Sequence, residues 1–314
     1  MLVTTPPPLL AAATPDDWIT THLARYYQQH HSNSEGPSTA SWVTIREVLA
    51  DDAAHLRRVH AGLLADESVT ANAAAKWVTS WYPGVLAGAV GFTLAMASAG
   101  LLVDGSTVRL RLHPDGWIDQ VDPVGAVVVV AAGHPWAGLK DVRVVPDEDQ
   151  VARLAAIALA NAAEPLVQAC RSLARVGRTS LWAEVADGFG LPMLMQPDAP
   201  VDRGAVRRLQ WGLRAEGAPW RRVPDLRIAE NGCHSDYLGR KAGCCLAYQC
   251  PAEDIDPQSL DDRSRAFEER FPTLPNEPRY CSTCSLRELS DCEARQASWL
   301  RSEREARCST AATG

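Results

Sequence analysis

Nine cysteines stand in the chain, eight of them between Cys233 and Cys308, with only Cys170 before residue 230. Two groups have a spacing suited to metal chemistry. One is Arg240-Lys241-Ala242-Gly243-Cys244-Cys245-Leu246-Ala247-Tyr248, and the other is Arg279-Tyr280-Cys281-Ser282-Thr283-Cys284-Ser285-Leu286. A Cys-x-x-Cys pair chelates because a tight turn brings both thiolates to one centre. Adjacent cysteines on a regular strand point to opposite faces. Cys244 and Cys245 therefore serve one centre only from irregular backbone, which Gly243 would help to provide. Four thiolates suit a [2Fe–2S] or [4Fe–4S] cluster and also a structural zinc ion, and ligand softness does not choose between them. A redox pair beside buried thiols is the reading without metal, and the residues leave all three open. Clustering at one end of 314 residues speaks against a disulfide framework, which spreads along small secreted domains.

Two neighbours complicate the ligand set. Cys250 and Cys292 flank the motif, so Cys250, Cys281, Cys284 and Cys292 form an alternative quartet. Cys233-His234 lies just upstream, and a histidine ligand in place of a thiolate raises a cluster's potential. An ordinary loop pair is the plainer reading of those two residues.

The adjacent pair followed by Tyr248 and preceded by Arg240 and Lys241, then Cys281, Cys284 and Leu286, resembles the C-terminal signature of FhuF-like ferric-siderophore reductases. The resemblance implies a [2Fe–2S] cluster on Cys244, Cys245, Cys281 and Cys284. It also implies one-electron reduction of Fe(III) held by siderophores, typically hydroxamates, in the bacterial cytoplasm. A weaker likeness extends over residues 40–290: a helical region at 42–103, a turn at Asp104-Gly105, and a helix with Leu181-Trp182. One departure is the spacing. Thirty-five residues, Leu246 to Tyr280, separate the two cysteine pairs, far more than the family's usual spacing, and they carry eight acids against four arginines. Loop closure costs only roughly 0.6 kcal/mol per doubling of length, so the insert is compatible with the site.

A ferric siderophore is bulky and rich in oxygen, so arginines and aromatic rings would hold it. Arg109 and Arg111 share a strand face with His113 next in line, and Trp182 is the aromatic candidate. Residues 203–227 hold seven arginines and two acids, and Arg207 and Arg208 in that patch would dock an acidic donor, a ferredoxin or a flavodoxin-like protein. No glycine-rich dinucleotide fingerprint opens a helix after a strand. Electrons are therefore expected from that donor, not from bound NAD(P)H or flavin. The net charge of −7 argues against a nucleic-acid partner. The alternative function is a zinc-stabilised siderophore- or partner-binding protein without redox activity.

These residues need elements to position them. The pattern predicts an α+β fold: a mostly helical siderophore-binding domain with a small antiparallel sheet, then a cysteine-rich cluster-binding region. The expected divisions are a tail and first helix at 1–40, the binding domain at 41–230, and the cluster domain at 231–314 with its acidic insert at 246–280. Helices are expected over 16–31, 42–75, 85–99, 146–177 and 179–189, and from a cap at Asp202 to Leu213. A hairpin is expected over 101–112 around Asp104-Gly105, a turn at His113–Gly116, and a buried strand at 125–132. The N-terminus lacks the basic start of a secretory signal, which points to a cytoplasmic protein. From Trp77 to Val103 there are 27 uncharged positions, but Pro83-Gly84 and an Ala/Gly-rich composition favour a buried helix over a membrane span. Peripheral contact with a membrane stays open.

Overall fold

Residues Val85–Ala97 are apolar on every side except at Thr93. A helix without a polar face is stable only when other elements surround it. In the computed structural model, which describes residues 13–30, 41–194, 203–231, 234–246, 262–271 and 280–311, this segment is the buried axis of the molecule. Thr93 satisfies its hydroxyl on the Ala89 carbonyl one turn back, at 3.0 Å.

In chain order, α1 (Pro15–His30), β1 (Ser41–Thr44), α2 (Ile45–Val48), α3 (Ala50–Leu63) and α4 (Ala71–Thr79) precede a π-helical turn at Ser80–Gly84. The axial helix α5 (Val85–Ala97) follows, then β2 (Ala99–Leu102), β3 (Arg109–Leu112), β4 (Ile118–Asp122), β5 (Val127–Ala131) and β6 (Val142–Val145). The helices α6 (Glu148–Leu173), α7 (Arg178–Gly190) and α8 (Arg203–Leu213) come next, then β7 (Asp225–Asn231), β8 (His234–Arg240), α9 (Asp262–Arg270) and α10 (Leu289–Ala311). The fold is α+β, as the sequence pattern indicates. An antiparallel sheet has the order β1-β3-β4. A second sheet runs β2-β5-β6, with β5 and β6 parallel. β7 and β8 form a separate antiparallel pair.

The helices α6, α7 and α8 and strand β2 pack around α5. The closest approach is at Gly91, where a β-carbon would lie 2.0 Å from the Phe189 carbonyl oxygen of α7. Asp147 caps α6 by accepting the Gln150 N–H at 2.8 Å. The uncharged stretch from Trp77 to Val103 is divided among α4, the π-turn containing Pro83, α5 and β2. Among the described residues no helix is long and apolar enough to cross a membrane.

Two expectations are corrected. Residues Ser41–Thr44 form a strand against β3, not the start of a helix, because Trp42, Val43 and Thr44 suit a pleated edge. Asp104-Gly105 does turn the chain, with Asp104 Oδ1 accepting from the Ser106 N–H at 2.8 Å, but β2 and β3 then join different sheets. The hairpin is instead β3–β4, closed by the His113–Gly116 turn, where Gly116 N–H donates to the His113 carbonyl at 2.9 Å. The expected boundary near residue 230 falls inside the β7–β8 pair. The N-terminal tail, the 32–40 loop and the Asp202 cap lie outside the described residues.

The α5–α7 contact yields a test. Gly91→Ala is expected to destabilise the fold by about 2–3 kcal/mol, since the methyl group meets rigid backbone and the helices must part. Denaturant unfolding checks it, and a change below about 0.5 kcal/mol would mean that the two helices are not packed this closely.

Candidate metal centre

The first cysteine pair follows directly on strand β8. The second opens the turn that leads into α10. Hydrogen bonds tie the two segments together: Lys241 N–H donates to the Thr283 carbonyl at 2.9 Å, and the Arg240 guanidinium to the Arg287 carbonyl at 3.2 Å. Gln296 of α10 is wholly buried between them. Its amide donates to the Gly239 carbonyl at 2.7 Å and the Ser282 carbonyl at 3.0 Å, and its oxygen accepts from the Gly239 N–H at 3.0 Å. Arg287 closes the Cys-x-x-Cys turn by donating to the Tyr280 and Cys281 carbonyls, and it is held in turn by Asp291 at 2.6 Å.

The first segment is also anchored to the helical body. Asp187 of α7 accepts the Ala242 N–H at 2.7 Å and the Gly243 N–H at 3.0 Å. Trp77 of α4 donates its indole N–H to the Cys245 carbonyl at 2.9 Å. Gly243 is needed for closeness and not for an unusual φ: a β-carbon there would lie 2.6 Å from Glu184 Oε1 and 3.2 Å from Asp187 Oδ2. The left-handed residue is Leu246, with φ of 62°, just after the pair. Burial, then the neighbouring Glu184, raises the Asp187 pKa. Burial works to lower that of Lys241, but Glu184, Asp187, Cys281 and Cys245 outweigh it and favour the ammonium form. Glu184 pairs with buried Lys76 at 2.8 Å, so the acids under the loop face two ammonium groups.

The thiols lie two and two, Cys245 beside Cys281 and Cys244 beside Cys284, each near enough to act on its neighbour's ionisation. Cys281 is exposed, Cys244 and Cys245 are half-buried, and Cys284 is buried. The neighbouring Cys245 thiol brings the Cys281 pKa down to about 5 against the effect of burial, with Lys241 adding to it. Burial pushes Cys284 up to about 11. The Leu286 N–H points at Cys284 Sγ, 3.4 Å away. Among the described residues no three His, Cys, Asp or Glu side chains are grouped to hold a single metal ion. The arrangement seen is a pair of thiol pairs.

The other expected residues are placed as follows. Cys292 is fully buried, its thiol faces the Cys284 carbonyl at 3.6 Å, and burial pushes its pKa up to about 11. Cys233 and Cys250 lie outside the described residues. His234 opens the seven-residue strand β8, which places it about 20 Å of extended chain from Arg240. Arg109 pairs with Asp122 and lies over Trp42, and Arg111 pairs with Asp119 at 2.7 Å. Two placements are corrections. Trp182 has no exposed surface and packs on Trp220 in the core, so it offers no face to a ligand. Arg208 is buried and donates to the Leu94 and Ala95 carbonyls at the C-terminal end of α5, so it cannot meet a partner protein. Arg207 is exposed, over Trp211 and 3.8 Å from Glu148. Val85, at the opposite end of α5, shares a cleft of about 320 Å³ with Lys241 and Asp187. Arg208 and the cleft beside the cysteine loop are therefore at opposite ends of α5, about 14 Å apart along its axis. Arg221 and Arg222 are exposed, on the segment leading to Asp225, which Arg240 contacts at 2.8 Å.

The supports Trp77, Glu184, Asp187 and Gln296 were not singled out from the sequence. Glu184 and Asp187 carried a signal, since two acids three apart interrupt the otherwise apolar stretch from Leu181 to Gly190. No family model matches the chain, and no curated protein matches it.

Thiol reactivity tests the arrangement. In metal-free protein Cys281 is expected to be alkylated first, at a rate that rises through about pH 5 and is level by pH 7, because the thiolate is the nucleophile. Cys284 and Cys292 should stay slow until pH approaches about 11. Mass-spectrometric mapping of alkylation against pH checks this, and equal rates at all these thiols near neutrality would contradict it.

Proposed function

We propose that the chain is a one-electron oxidoreductase of the FhuF-like ferric-siderophore reductase type. One observation carries this reading: four thiols from segments 35 residues apart converge, two and two, on one corner of the fold. A [2Fe–2S] cluster takes four thiolates, two on each iron, and that donor set fits Cys244, Cys245, Cys281 and Cys284. When bound, such a cluster supplies one electron at a time. The chain's own part is to hold the four sulfurs, to shield Cys284 while leaving Cys281 open, and to place the Lys241 charge and the Leu286 N–H beside them. Hydrogen bonds to sulfur and nearby positive charge raise the potential of such a site.

The substrate in this reading is Fe(III) held by a siderophore, with hydroxamates the fitting class. Hard, anionic oxygen donors hold Fe(III) far more tightly than Fe(II). Addition of one electron therefore loosens the metal, and its release draws the reaction forward. The electron comes from a ferredoxin or a flavodoxin-like donor, and a reducing, cytoplasmic setting suits exposed thiols.

Three measurements test the reading. Anaerobic protein is expected to contain about two iron and about two acid-labile sulfide per chain, and one zinc without sulfide would favour the zinc-stabilised binding protein. Cys→Ser at 244, 245, 281 or 284 should each abolish the visible spectrum, while Cys292→Ser should keep it. Reduced protein should be reoxidised by a ferric trihydroxamate with Fe(II) trapped by a ferrous chelator, and failure with every ferric chelate tried would remove the reductase reading.

The donor's position gives a further expectation. Arg221 and Arg222 are exposed near the cysteine corner, whereas Arg207 sits at the far end of α5. Reversing Arg221 and Arg222 to Glu should slow donor-dependent reduction by about tenfold at low salt and flatten its salt dependence. Arg207→Glu should change it by less than about twofold. The opposite ranking, measured by stopped-flow, would return the donor to α8.

A further inference from the structure

Six of the ten tryptophans are not in the buried core. Three of these form a row that starts at the cysteine loop. Trp77 is the first, with its indole N–H on the Cys245 carbonyl at 2.9 Å. Trp81 follows four residues later, in the π-turn that continues α4, on the same helical face. Its ring centroid is 6.3 Å from that of Trp117, at 60°. Trp117 is stacked on His113, with centroids 3.8 Å apart and planes within 8°. Arg111, two residues before His113, stands at the polar end of the row beside Asp119. All four rings are partly exposed, in contrast with Trp18, Trp136, Trp182 and Trp220, which fill the core. The Trp117 indole N–H is enclosed and has no hydrogen-bond acceptor.

We propose that this row, Trp77, Trp81, Trp117 and His113, is the platform on which the organic frame of a ferric trihydroxamate lies, with Arg111 toward its carbonyl and hydroxamate oxygens. Trp81, Trp117 and His113 are partly exposed rings in contact, with Trp77 one helical turn from Trp81; such rings give a broad apolar surface at little entropic cost, because each has only two side-chain torsions. Arginine supplies directional donors for oxygen-rich groups. A chelate on this surface rests beside Cys245, and electron transfer falls steeply with distance. The choice of ligand rests on the reductase reading. Two clefts among the described residues fit it less well. The cleft of about 320 Å³ is at the lower limit of small-molecule sites, too small for a hexadentate chelate. The cleft of about 470 Å³ is lined by Asn161, Pro165 and Asp104, and none of the cysteine segments borders it.

The gallium(III) complex of desferrioxamine B tests the platform without electron transfer, because gallium(III) is not reduced. It is titrated into the full chain carrying 5-fluorotryptophan and followed by ¹⁹F NMR. The complex is expected to shift the signals of Trp77, Trp81 and Trp117 and to leave those of Trp18, Trp136, Trp182 and Trp220 in place. Trp81→Ala and Trp117→Ala should each weaken binding at least tenfold, with Trp211→Ala changing it by less than twofold. Trp81→Phe keeps a ring and should lose less than Trp81→Ala. No binding by the unmodified protein, or shifts confined to tryptophans outside the row, would overturn the platform, even if ferric chelates are reduced. Platform-dependent gallium binding with no reduction of the ferric complex would keep the platform and overturn the reductase reading.

Discussion

The Asp187 carboxylate, almost wholly buried at 4% exposure, receives two consecutive backbone N–H groups from the loop that carries Cys244 and Cys245. Much else in the arrangement answers to that contact. Glu184 sits one turn away on the same helix face, so the loop rests on two acids. Isolated buried charges are expensive, and these are met by Lys76 from below and Lys241 from above. Lys241 is drawn toward them by its own place at the end of β8, which also brings it beside Cys281. The electrostatics of the thiols are thus inherited from the helical body, one layer removed.

Close approach at two glycines makes this possible. Gly91 lets α5 and α7 meet backbone to backbone, and Gly243 lets the loop lie on the acids that α7 presents. The second contact depends on the first, because α7 reaches the loop only from its seat on α5. Trp77 adds a third strut from α4, the helix that also supplies Lys76. A single cluster of helices therefore fixes one cysteine pair, while Gln296 and Arg287 on the α10 side fix the other.

Much of this was readable in the sequence where one periodic pattern dominated. The uncharged run Val85–Ala97 and the long α6 each carried enough local information to be placed. The failures have a common origin in long-range pairing. Trp42–Thr44 looked helical because its strand partner lies more than sixty residues on, at Arg109–Leu112. Asp104-Gly105 was read as a hairpin turn because sequence shows that a chain turns, not which sheet it enters next. Arg208 looked like a surface charge within a basic stretch. Its partners, the Leu94 and Ala95 carbonyls, are backbone atoms at a helix end over a hundred residues away. Buried supports such as Asp187 and Gln296 are polar residues whose purpose is visible only from the backbone they serve.

Gln296 has a consequence for how this chain can change over time. Its three hydrogen bonds, with those from Lys241 to Thr283 and from Arg240 to Arg287, hold the two cysteine segments to each other directly. None of these bonds passes through the residues that connect the segments in sequence. Within that connection α9 packs on α10, Phe267 against Trp299 and Arg295 over Phe271, so the residues of α9 stay coupled to the cysteine corner. Outside α9, an epitope or a reporter domain spliced between the two pairs would leave the bonds that join the half-sites in place. A chain cut there would be two fragments that still share one folded corner.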